Sequence, residues 1–195
     1  MKKYNDAINL ALQTIGEQII EGDLSIDGIY EAEAADLLIE TTKEEILSEG
    51  FSFNTDYDWE LAPDINGYIV IPETVIRIDS SSTGDDVVRK DGKLYNKVTK
   101  DYLFNNSVKC DIIWNHDFDD LPPIAQQYIV LKAARILYQR LVGDTTMLNI
   151  LVQDEREALV RLRLHEDEVM DNNIFDDQSV SRALSRTTNP VGLRG

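Results

Sequence analysis

Apolar residues recur at steps of three and four in four stretches of the chain, and at steps of two in the region between the second and the third. In the first stretch Tyr4, Ile8, Ala11, Leu12 and Ile15 share one helical face, and Gly16 ends the run. In the second, Ala32, Ala35, Leu38, Thr42 and Ile46 mark the face. Asp27 stands where a cap is expected, Glu31 and Glu33 suit the positive end of the helix dipole, and Gly50 supplies a stop. A third helix follows Pro122-Pro123, because first-turn amides have no helical partner to lose. Its apolar positions are Ala125, Tyr128, Ile129, Ala133, Ile136, Leu137 and Leu141, with Arg135 and Arg140 towards the negative end and Gly143 as the stop. The fourth, from about residue 146 to about 172, carries Met147, Leu148, Leu151, Val152, Ala158, Leu159, Leu162, Val169 and Met170. At about 25 residues it would extend roughly 38 Å.

From about residue 51 to about 118 the pattern is that of strands. Residues 68–71 and 75–78 are β-branched runs separated by Pro72-Glu73-Thr74. Val87-Val88-Arg89-Lys90 and Lys93-Leu94-Tyr95 flank Asp91-Gly92, the signal of a two-residue type I′ hairpin. In 108–114, Cys110, Ile112 and Trp114 alternate with Lys109, Asp111 and Ile113, and 80–86 reads as a polar loop. The expected fold class is α+β: a four-helix bundle-like domain with an antiparallel β insertion between helices 2 and 3. The expected organisation is helices 1 and 2 in 1–50, the β insertion in 51–118, helices 3 and 4 in 119–177, and an extended C-terminal arm in 178–195.

Charge changes this picture in one place. The chain of 195 residues carries a formal net charge of −17. Residues 178–195 contain no Asp or Glu but three arginines, Arg182, Arg186 and Arg194. The rest of the chain therefore holds 16 basic against 36 acidic residues, a balance of −20. Such acidity argues against general nucleic-acid grip, which draws on clustered Lys and Arg. The arm reads either as a disordered terminus or as a basic segment that docks on an acidic surface, such as that of a neighbouring copy. Apolar residues at 43% place the chain in the globular range. No apolar run is long enough to span a bilayer, and no secretory signal is visible. The single cysteine, Cys110, excludes an internal disulfide and a cysteine-built zinc cluster.

Candidate chemistry is sparse. Asp56, Asp58, Asp117, Asp119 and Asp120 read as loop carboxylates, of which two close together would serve as acid and base in a carbohydrate-active enzyme. With 36 acidic residues such pairs are expected on any solvated surface, and Asp119-Asp120 also precede a helix start. His116-Asp117 has no matching ligand cluster, and His165 falls near the apolar stripe of the fourth helix. No phosphate loop, Gly-x-Ser-x-Gly elbow or dinucleotide fingerprint occurs. Opposed charges at spacings of three to five on the fourth helix suit a solvent-exposed or subunit-facing surface.

Several motifs in order carry a resemblance. Gly50-Phe-Ser-Phe-Asn54, Leu61-Ala-Pro-Asp-Ile-Asn-Gly-Tyr-Ile-Val-Ile-Pro72 and Arg89-Lys-Asp-Gly-Lys-Leu-Tyr95 are followed by Asp117-Phe-Asp-Asp-Leu-Pro122, Tyr128-Ile-Val-Leu-Lys-Ala-Ala134 and Arg140-Leu-Val-Gly143. Over about residues 5–175 the chain resembles the tail tubular protein A family of short-tailed bacteriophages. Gln18-Ile19 stands where the family commonly has proline, and the arm is not matched. The resemblance implies a structural, non-enzymatic virion protein, made in the bacterial host cytoplasm. It implies an adaptor or gatekeeper ring, a dodecamer of this chain, joining the portal protein to the tail nozzle (tail tubular protein B) near the tail fibre. Double-stranded DNA would pass through the lumen during genome ejection without specific binding. No cofactor, metal or membrane insertion is implied. The candidate subunit or portal interface is Arg156, Arg161, Arg163, His165, Arg182 and Arg186, and the candidate nozzle or fibre side is Arg89, Lys90, Asp91 and Gly92. The alternatives are a connector or head-completion protein of another tail type, or the carbohydrate-degrading enzyme above.

Overall fold

The computed structural model describes residues 3–21, 26, 28–81 and 86–176, with backbone alone at 3 and 170–176. The expected cap Asp27, most of the polar loop 80–86 and the arm with Arg182 and Arg186 lie outside the described residues.

The four helices form where the periodicity places them: α1 (Lys3–Ile15), α2 (Tyr30–Leu47), α3 (Pro123–Leu141) and α4 (Thr145–Asp176). α3 is the central element. It packs against α1, α2 and α4, and Ala125, Ile129, Ala133 and Leu137 are almost fully removed from water. One hydrophobic cluster gathers Leu12 from α1, Ile39 and Ile46 from α2, Ile129 and Leu137 from α3, and Ala158 and Leu162 from α4. The long fourth stripe is buried only along a narrow seam. Leu151, Ala158 and Leu162 are buried while Met147 is exposed, because α4 packs mainly against α3 and only the side facing it is covered. α4 has 32 residues, several more than the sequence pattern predicts. Its start is capped by Asp144, whose carboxylate accepts the Thr146 and Met147 amides at 3.1 and 3.0 Å.

Five strands follow α2: β1 (Thr55–Leu61), β2 (Val75–Ser80), β3 (Val87–Lys90), β4 (Lys93–Asn96) and β5 (Val108–Trp114). β1, β5 and β2 make an antiparallel sheet in that order, and β3 pairs with β4 as a hairpin. Asp91 and Gly92 join them with φ of 53° and 70°, the positive values a type I′ turn requires. A second cluster fills this part, with Ile69, Ile71, Val75, Ile78, Val87, Leu94, Val108, Cys110 and Ile112. Two expectations need correction. Residues 68–71 do not form a strand. They lie beside β4 through one bridge, Val70 to Lys93, and through the Ile71–Gly92 and Leu94–Ile69 backbone hydrogen bonds, both 2.9 Å, before Pro72 interrupts the pairing. Asp56 and Asp58 are not in a loop but in edge strand β1. Its exposed, acidic sequence has no apolar alternation, and pairing with β5 holds it in place.

The helical and β-rich parts meet around Asn54 and Gly50. Asn54 is wholly buried: its side-chain amide donates to the carbonyls of Leu47 (3.0 Å) and Trp114 (2.9 Å), and its side-chain oxygen accepts the Phe51 amide (2.8 Å). Ile113 points away from Cys110 and Ile112 on β5 and meets the chain at Gly50. Gly50 has φ +79°, and a Cβ there would lie 2.7 Å from Ile113 Cδ1.

Candidate functional site

Several charged side chains singled out in the sequence are tied into the fold. On α4, Arg163 forms an ion pair with Glu49 and lies over the Phe51 ring at 5.3 Å, strapping the helix to the segment that enters β1. Glu166, one turn on, accepts the Ser52 amide at 2.6 Å and the Ser52 hydroxyl at 3.0 Å. Arg161 meets Glu157 at 3.7 Å in an exposed i, i+4 pair, Arg156 is exposed, and His165 is half-buried. Arg156 and Arg161 border a shallow cavity with Gln153, Glu157 and Val160 on the outer side of α4. Higher on the same helix, Arg135 of α3 pairs with Glu155, both largely shielded from water. No local pattern announces Glu166, Glu49 or Glu155, since each partner lies on another element.

At the hairpin tip, Lys90 lies over the Tyr95 ring at 4.8 Å and the Asp91 carboxylate accepts the Tyr102 hydroxyl at 2.8 Å. That hydrogen bond, helped by desolvation, pushes the Tyr102 hydroxyl above its ordinary pKa. Arg89 is half-buried with its Nε lacking a hydrogen-bond partner, while Lys90 and Asp91 are exposed. The tip is thus braced from within and presents its charges outward.

The carboxylates fall into two groups. Asp56 accepts the Trp114 indole N–H at 2.7 Å, and Asp58 sits at φ 53° in the bulge of β1 with its amide bonded to Asp111. Asp117, Asp119 and Asp120 line one cavity with Tyr4, Glu40, Lys43 and Phe118. Asp119 serves a distant helix rather than α3: its carboxylate accepts the Tyr4 amide at 2.9 Å in the first turn of α1. The Tyr4 hydroxyl donates to Asp36 at 2.7 Å. Burial, then that carboxylate, raises the Tyr4 pKa far above its usual value. Lys43, buried at the wall of this cavity, pairs with Glu40 at 2.7 Å. Among the described residues no group of three or more His, Cys, Asp or Glu side chains is placed to hold a metal ion, and no helix is long and apolar enough to cross a membrane.

Carboxylates that cap a helix, clasp an indole or pair with arginines hold the elements of this mixed α+β protein together. Comparison with known families gives it an address. Residues 5–172 match the family described as tail tubular protein, and the chain belongs to that family. Tail tubular protein A of Klebsiella phage KP34 is 28% identical over 162 residues, covering 82% of this chain and 85% of that relative. The chain is accordingly a structural protein of a bacteriophage tail and a component of the virion.

Proposed function

We propose that the chain is the adaptor of a short-tailed phage, forming a ring that joins the portal to the tubular nozzle. The observation that carries this reading is the family match, which runs through both the helical and the β-rich parts, together with the likeness to a tail tubular protein A over most of both chains. In this reading twelve copies close by head-to-tail contacts, in which two different surfaces of the same chain meet. The helical residues 1–50 and 119–177 pack between subunits and towards the portal. Residues 51–118, with Arg89, Lys90, Asp91 and Gly92 at the hairpin tip, face the nozzle and fibre. The exposed arginines Arg156 and Arg161 on α4 meet a neighbouring subunit or the portal.

The charge of the chain suits a conduit. A net charge of −17 makes counterion-releasing grip on phosphates unfavourable, so DNA slides past without being held. The test is the mass of the purified protein in solution, alone and with its cognate portal protein. A multi-copy ring, formed alone or on the portal, is expected. A monomer indifferent to the portal at micromolar concentration overturns the adaptor reading.

A further inference from the structure

An apolar groove of about 350 Å³ runs between α1 and α3. Ala7, Leu10, Phe118, Pro123, Val130 and Leu131 line it, and Asp6 stands at its edge. Leu10, at its wall, keeps 43% of its surface in water. Phe118 also lines the cavity of Glu40, Asp117, Asp119 and Asp120, in which Glu40 is paired with the buried Lys43. Groove and cavity therefore share Phe118, and together they set apolar side chains beside carboxylates.

Such a surface selects an occupant that is apolar in one part and cationic beside it. This chain carries one. In 178–195, where no acidic residue occurs, Arg182 and Arg186 bracket Ala183 and Leu184, and Val180 precedes them. The arm is acid-free and basic, on a body whose remaining charges sum to −20 from 16 basic and 36 acidic residues. Its point of departure is favourable. α4 runs antiparallel to α3, as the Arg135–Glu155 pair records, and on that register it passes the start of α3 about 14 Å before it ends at Asp176. The described chain thus ends past the end of the bundle where Phe118 and Pro123 lie. Six further residues reach about 20 Å when extended.

We propose that residues 179–186 of one copy dock in the α1–α3 groove of a neighbouring copy, with Ala183 and Leu184 in the trough and Arg182 and Arg186 at the carboxylates around Phe118. The proposal rests on the ring reading in naming a second copy of the chain as the partner. It makes the arm a strap between subunits, and it gives the arm's basic charge an acidic counterpart.

Variants of the full chain with one added cysteine test it. Gln127 lines the groove and is exposed, Ser185 lies within the docking segment, and the native Cys110 is fully buried. Gln127→Cys chains bearing one affinity tag are mixed with Ser185→Cys chains bearing another, oxidised, and read as mixed-tag disulfide dimers, with the assembly mass measured on the same sample. Mixed dimers are expected, reduced about tenfold by R182E/R186E and about threefold or more by raising salt to 0.5 M, where the Debye length shrinks to a few ångströms. A Gln153→Cys chain, altered on the outer side of α4, should cross-link far less. Equal yield at Gln153→Cys, insensitivity to the charge reversal, or absence of mixed dimers overturns the strap. If rings form without mixed dimers, the groove assignment falls and the adaptor reading stands. If neither forms, both fall. A chain with both cysteines that closes only on itself also overturns the proposal.

Discussion

Asn54 shows how a single buried amide can join two parts of a chain. It links the end of α2, the entry to β1 and the exit of β5, and all three of its side-chain hydrogen bonds go to backbone groups. Replacing it with alanine strands those groups away from water, so Asn54→Ala should lower unfolding stability by about 3 kcal/mol. Urea unfolding followed by tryptophan fluorescence measures this directly. Glycine positions separate two physical costs. Gly92→Ala meets open space and carries only the backbone penalty of about 1 kcal/mol. Gly50→Ala adds a collision with Ile113 and should cost at least about 2 kcal/mol. Equal losses in the two variants would contradict the packing described at Gly50. Tyr4 supplies a pH signature. Its raised pKa means that the folded state favours the neutral phenol, so its contribution is fully present below the usual tyrosine pKa of about 10 and is lost as pH rises above that value. The thermal midpoint should therefore fall in alkali, and Tyr4→Phe should flatten that fall.

At the level of elements, what could be read in the sequence depended on which faces are buried. α2 and α3 bury broad faces, so their periodicity stands out, and the Pro122-Pro123 start and the Asp91-Gly92 turn are local devices. β1 is illegible for the opposite reason. An edge strand with Tyr57, Asp58, Trp59 and Glu60 facing water has no apolar alternation to display, and only its pairing with β5 defines it. The candidate assembly residues were legible as charged positions, but their internal partners were not. Arg163 and Glu49 are 114 residues apart, and such pairs are products of the fold. The Arg135–Glu155 pair clamps α3 to α4 in a shielded setting, at 19% and 17% side-chain exposure. A double-mutant cycle between Arg135→Met and Glu155→Leu should return a coupling of about 1 kcal/mol or more, above the few tenths typical of exposed helix pairs.

For the whole molecule, the fold class followed from the order of periodicities, helix, helix, strands, helix, helix, because that order is also the order of the elements. What stayed hidden was the central place of α3, which comes from three-dimensional packing and has no local sign. The acidic surface belongs to this scale too. With a net charge of −17, self-repulsion opposes assembly at low salt, while the proposed strap weakens at high salt. Ring yield should therefore pass through a maximum with ionic strength, which light scattering across a salt series would reveal. A monotonic rise would argue against the basic arm as a contact between copies.

The bond from the Tyr4 amide to Asp119 also sets an order of events during synthesis. The ribosome makes α1 first, yet the carboxylate that closes its first turn and the helix that covers its apolar face are translated more than a hundred residues later. The strands between them pair with one another and are complete by Trp114. Beginning and end of the helical core are thus joined across the whole β-rich part, a non-local step that slows folding. Pulse-labelled hydrogen exchange during refolding should find amides of β2 and β5 protected before those of α1. The opposite order would show that the first two helices assemble without waiting for the third.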